Sequence, residues 1–132
     1  AILLGPRRGR FKNGYVKPMK PFAASSIPLA TLGVFILWMG WFGFNGGSQL
    51  ALGTLDDSIS ISKIFINTNL AACGGVMMNA TLTRLLYGRT DVIHMLNGAI
   101  AGLVAITAEP LTPSPFVAIL IGFLFYYTKA QK

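Results

Sequence analysis

The chain has 132 residues, 53% of them apolar and only 11% charged; eleven Lys and Arg stand against four Asp and Glu, a formal net charge of +7. A soluble domain carries about 25% charged residues, so this supply argues against a free water-soluble globule, and the apolar content excludes intrinsic disorder. The single cysteine, Cys73, excludes an internal disulfide and a multi-cysteine zinc site.

The opening Ala1-Ile2-Leu3-Leu4 is too short for the apolar region of a signal peptide and reads as the last turn of a helix begun earlier. The chain is therefore expected to be an internal piece of a longer protein. Arg7, Arg8, Arg10, Lys12, Lys17 and Lys20 then crowd a basic loop expected over 6–26. From Pro21 to Leu55 there follow 35 residues without a charged side chain. A bilayer core about 30 Å thick takes roughly 20 apolar residues per helix, and a first span is expected over 28–50, with Pro28 in its first turn. A buried helix of a soluble enzyme would show a polar stripe, and Phe35 to Phe42 shows none.

Within that span Trp41, Phe44 and Ser48 stand at i, i+3 and i+7 and share a helix face. Aromatic π-surfaces beside a hydroxyl acceptor suit a small cation; an aromatic belt at the membrane edge is the alternative. Gly43 and Gly47, four apart, are expected to admit a second helix on a different face. Gly53 reads as a stop, and Asp56-Asp57 as solvated loop acids rather than a cation site.

A second span is expected over 60–86, its uncharged stretch running from Ile64 to Thr83 and Gly88 ending it. Asn67-Thr68 lies at membrane depth in that span. Cys73 and Met77-Met78 read as filler. A third span, 93–108, carries His94 at its boundary, Asn97, and a Gly98-x-x-x-Gly102 contact. Asn67 and Asn97 suit hydrogen bonds across helices or the lining of a path, each bond worth about 1 kcal/mol in a membrane. Thr107, at the end of that span, is placed to bond back to its own helix. A fourth span is expected over 115–129, opened by Pro115.

Four spans sort ten of the eleven basic residues to one side, leaving Lys63 with Asp56, Asp57 and Glu109 on the other, the positive-inside pattern. The +7 is thus a topology signal. Attraction of the basic loop to anionic lipid headgroups is expected as a side effect, and no nucleic-acid motif accompanies it. No carboxylate pair, nucleophile–base set, metal-ligand cluster or phosphate-binding glycine loop is visible, so neither an enzyme nor a cofactor is expected.

Four motifs taken together resemble the ammonium transporter family, the Amt/Mep/Rh group. They are Leu37-Trp38-Met39-Gly40-Trp41-Phe42-Gly43-Phe44-Asn45-Gly46-Gly47-Ser48, Asn67-Thr68, Gly88-Arg89-Thr90-Asp91, and Asn97-Gly98-Ala99-Ile100-Ala101-Gly102-Leu103-Val104-Ala105-Ile106-Thr107. The resemblance covers nearly the whole chain and about a third of the family's eleven-helix fold, from the end of the fifth helix to the start of the ninth. It implies an all-α, multi-pass transmembrane bundle in the plasma (inner) membrane, with residues 1–132 forming one partial membrane domain. It further implies a homotrimer in which each subunit has its own pore for ammonium, ammonia or methylammonium.

By that resemblance Phe44 matches one of two stacked gating phenylalanines, and Ser48 the hydroxyl that accepts a hydrogen bond from recruited ammonium. Thr107 matches a threonine near the outer mouth. Trp41 and Asn45 match the helix segment beside them, and Asn67 and Asn97 are expected to support the pore helices. A cytosolic regulatory protein is a further expected partner. The family's two pore histidines lie on helices absent here, and His94 matches neither. Ser25-Ser26 stands where many members have His-Asn, Gly46 replaces a common alanine, and Glu109-Pro110 replaces a small-residue-plus-Cys stretch. Two other readings stay open: an ammonium sensor on the same fold, and a small multi-span structural subunit of a membrane complex.

Overall fold

The structure, a computed structural model, describes residues 25–130, and side chains as far as Phe125. The basic loop expected over 6–26 lies outside the described residues except for Ser25 and Ser26. Four helices make up the described part, which contains no strand: α1 (Ile27–Gly47), α2 (Leu55–Tyr87), α3 (Val92–Ile106) and α4 (Pro115–Ala130).

Each helix begins where a side chain takes an orphan amide. Ser26 Oγ accepts from Leu29 N at 3.3 Å, with Pro28 in the first turn, where its missing N–H costs nothing. α2 starts at Leu55, five residues ahead of the expected 60, because Thr54 and Asp57 form a capping box. The Asp57 amide donates to Thr54 Oγ1 (3.2 Å) and the Thr54 amide to Asp57 Oδ2 (3.0 Å). Asp91 caps α3 by accepting from Ile93 N at 2.8 Å. Asp56-Asp57 is thus the first turn of a helix, not a loop.

The ends differ from expectation by a few residues for local reasons. α1 stops at Gly47 rather than 50: Ser48, Gln49 and Leu50 donate three residues back, to Asn45, Gly46 and Gly47, at 3.1–3.2 Å, and Leu50 turns left-handed at φ 59°. α2 ends on Gly88 at φ 70°, a conformation open to glycine, whose amide reaches Arg84 O at 3.0 Å. α3 ends at Ile106, capped by Thr107.

α2 is the hub and packs against the other three helices; α3 also touches α1 and α4, while α1 and α4 do not meet among the described residues. The seam is made of small residues. A Cβ built on Gly75 would strike Gly98 O, one on Gly102 would strike Ala71 O, and one on Gly122 would strike Ala71 O as well. Backbone meets backbone there, the packing that suits helices with no water-driven reason to associate. The Gly98–Gly102 contact is therefore present, with Gly75 and Ala71 as its other half. Gly43 and Gly47 have nothing within 4 Å, whereas Gly46 is covered by the Phe65 ring. The close approach falls on a different face of α1 from the one expected.

Only α1, about 31 Å long at 1.5 Å per residue, is long and apolar enough to cross a membrane by itself among the described residues. α3 and the Pro115–Phe125 part of α4 are apolar but shorter. α1 leaves Leu29, Leu32, Phe35, Ile36, Leu37, Met39 and Phe44 exposed, a coat of apolar side chains unlike that of a helix in water.

Candidate functional site

The C-terminal half of α1 and the C-terminal end of α3 are held together by one hydrogen bond. Trp41 Nε1 donates to Thr107 Oγ1 at 2.7 Å, across 66 residues of sequence, and Thr107 Oγ1 donates in turn to Leu103 O at 2.8 Å. Trp41 and Thr107 are both partly buried. Three residues on from Trp41, Phe44 lies with its ring centroid 6.0 Å from the indole at 51°, and it is 63% exposed. One turn further, Ser48 Oγ donates to the Phe44 backbone carbonyl at 3.0 Å and stands exposed. The proton of that hydroxyl is committed to the helix. Its oxygen keeps lone pairs for an incoming donor.

Trp41, Phe44, Ser48 and Thr107 therefore lie at one end of the bundle, along the last two turns of α1 and the cap of α3. An exposed aromatic face and a hydroxyl with free acceptor capacity attract a cation that carries N–H donors. Next to Phe44 in α1, Asn45 is buried and its Nδ2 donates to Thr68 Oγ1 of α2 at 3.0 Å. Asn45 Oδ1 has no partner among the described residues. Asn67, also buried, uses both amide hydrogens on the α3–α4 loop, donating to Pro110 O (3.0 Å) and Pro113 O (2.9 Å). Asn97, by contrast, is exposed on α3 and joins no helix pair among the described residues.

Residues missed from sequence include Thr68 as Asn45's partner and Asn79. Asn79 is fully buried in the α2–α3 seam, without a partner for either side-chain polar atom among the described residues. A polar residue in the register of the small-residue seam was the available signal for Asn79. His94 sits at the opposite end of the bundle from Thr107, its Nδ1 3.1 Å from Asp91 Oδ2 with both side chains 45% exposed. The Ile93 amide, and then His94, hold the Asp91 carboxyl below its ordinary value. That pair belongs to the cap of α3 and not to the aromatic site. Among the described residues no group of three or more His, Cys, Asp or Glu side chains is placed to hold a metal.

The model of the Ammonium Transporter Family matches residues 1–125. Ammonium transporter Amt2 of Archaeoglobus fulgidus is 43% identical over 121 residues, covering 92% of this chain and 25% of that protein. A putative ammonium transporter of Synechocystis is 40% identical, covering 92% of this chain and 21% of its own length. A solved structure described as a sensor Amt protein superposes with a TM-score of 0.77 at 33% identity, over 93% of this chain and 29% of that one. The chain spans about a quarter of the length of the curated relatives it matches.

Proposed function

The chain belongs to the Ammonium Transporter Family, and from that premise we propose that it forms the recruitment end and part of the wall of a pore that moves ammonium or ammonia across a membrane. The observation that carries the reading is the Ser48 hydroxyl, exposed beside Phe44 with its own proton given to Phe44 O. An ammonium ion only donates hydrogen bonds. It finds at Ser48 an oxygen that can only accept from it, and at Phe44 and Trp41 ring faces whose quadrupoles favour a cation. Beyond that point a bare cation in hydrocarbon is very costly, so passage along an apolar wall requires ammonia to part from its proton.

The same reading makes the chain multi-pass. α1 crosses alone, and α2, α3 and α4 cross in its company, orienting the basic residues toward the cytoplasm. It also takes the family's homotrimer, the plasma (inner) membrane as its place, and a cytosolic regulatory partner. Methylammonium uptake by the complete protein in cells or liposomes tests the site. Ser48→Leu is expected to abolish most uptake while leaving assembly intact, and unchanged uptake would remove Ser48 from the mechanism.

A second reading rests on the similar solved structure described as a sensor. In a sensor, the same aromatic-and-hydroxyl site binds ammonium without sustained flux. Methylammonium binding that persists in liposomes showing no flux above a lipid blank would favour the sensor.

A further inference from the structure

We infer that Thr107 is a positioning residue for Trp41, acting on the recruited cation through the indole it holds. The inference rests on the proposed recruitment site and assigns its inner support. A hydroxyl has one proton and two lone pairs. In Thr107 the proton goes to Leu103 O at 2.8 Å, and a lone pair takes the indole N–H at 2.7 Å, the shortest hydrogen bond joining two of the described helices. The indole has no other polar atom, so this bond fixes its rotation about the Cβ–Cγ bond. Trp41 in turn meets the Phe44 ring at 6.0 Å and 51°. The orientation of the exposed aromatic face is therefore set from α3, through a bond that closes only when the ends of α1 and α3 are docked. Ser48 differs in kind: its hydroxyl bonds only within its own helix and stays exposed.

The bond from Thr107 to Leu103 O also explains why the acceptor points at Trp41. Back-bonding to the residue one turn earlier fixes the hydroxyl rotamer, and the lone pair that remains available on the α1 side faces the indole. Serine at this position keeps both bonds. Valine, of nearly the same shape, keeps neither.

The test uses Thr107→Val, Thr107→Ser and Trp41→Phe in the complete protein, with Trp41 labelled as 5-fluorotryptophan and its resonance assigned by its loss in Trp41→Phe. Thr107→Val is expected to move the Trp41 resonance and to raise KM for methylammonium about five-fold, the factor of one ordinary hydrogen bond, with assembly unchanged. Thr107→Ser is expected to restore both. Trp41→Phe is expected to raise KM comparably, and the Trp41→Phe/Thr107→Val double variant no further, because both remove one interaction. An unmoved Trp41 resonance in Thr107→Val overturns the inference. So does an unchanged KM, a failure of serine to rescue, or a double variant whose losses simply multiply. A wild type that carries no methylammonium overturns the transport reading instead, and the resonance then decides the Thr107–Trp41 support on its own.

Discussion

Asn45 of α1 and Thr68 of α2 make the one buried side-chain hydrogen bond between those helices among the described residues, Nδ2 to Oγ1 at 3.0 Å, one residue along the chain from the exposed Phe44. The bond is a register pin. It holds the Asn45 face of α1 against the hub helix and leaves Phe44 and Ser48 exposed, while Gly46 next to it lets the Phe65 ring lie on the α1 backbone. Removing one partner leaves a buried amide unpaired, which costs about 1–3 kcal/mol; removing both together costs less. Thr68→Val is therefore expected to lower the thermal midpoint in detergent more than the Asn45→Leu/Thr68→Val double variant does. A double variant that is additive would show that the two side chains do not act as a pair.

Asn67 works on the loop that follows Thr107. Both its amide hydrogens are spent on Pro110 O and Pro113 O, so the α3–α4 loop is strapped to the middle of α2. Asn67→Leu forfeits two hydrogen bonds, about 2 kcal/mol of local stability. Asn67→Asp is expected to be worse, because it sets carboxylate oxygens against two carbonyl oxygens. Amide exchange over 108–114 is the measurement: it should accelerate in Asn67→Leu and further in Asn67→Asp. Equal protection in all three proteins would show that the strap does not hold the loop.

The helices themselves were legible from sequence, because charge-free stretches, Pro28, Pro115 and Gly88 are local signals. Trp41, Phe44 and Ser48 stand out in the sequence as an aromatic-and-hydroxyl pattern on one helix face, and Thr107 enters only through the family resemblance. What joins them was not. Whether Trp41 reaches Thr107, or Asn45 reaches Thr68, depends on the rotation of α1 about its axis, and α1 is apolar nearly all round. The same lack of a polar stripe hid which glycine is covered, so Gly43 and Gly47 stood out by spacing while Gly46 makes the contact. The capping box at Thr54 was a readable signal obscured by treating two adjacent acids as loop. Asn97 shows the converse: a polar residue on an apolar helix that the described helices leave exposed.

The glycines divide into two groups with opposite expected responses. At Gly75 and Gly98 an added methyl would run into the facing backbone, which can give way only by separating α2 from α3. Gly75→Ala or Gly98→Ala is expected to cost about 1–3 kcal/mol. Gly43 has open space on that side, so Gly43→Ala is expected to be neutral or mildly stabilising, through the better helix propensity of alanine. Thermal unfolding of the three single variants in one detergent checks the contrast. A destabilised Gly43→Ala would mean that some other surface seats on that face.

The start of α2 is expected to respond to acid. Asp57 lies ahead of the uncharged stretch that begins at Ile64, and its carboxyl is held below its ordinary value of 3.8, chiefly by the hydrogen bond from the Thr54 hydroxyl and then by the Thr54 amide. Because the folded value is the lower one, the unfolded turn takes up protons first as pH falls. The stabilisation is thus fully present above about 3.8 and is lost as pH drops through the lower folded value. At neutral pH the cap is intact, and Thr54→Ala is expected to fray the first turn by about 1 kcal/mol. The Asp57 carboxyl carbon shift in NMR, followed from pH 7 downward beside the Thr54 amide shift, should show both moving together with a midpoint below 3.8. Asp57→Asn should remove that transition while leaving the rest of α2 unchanged. A midpoint at or above 3.8 would mean that the carboxylate does not hold the Thr54 amide.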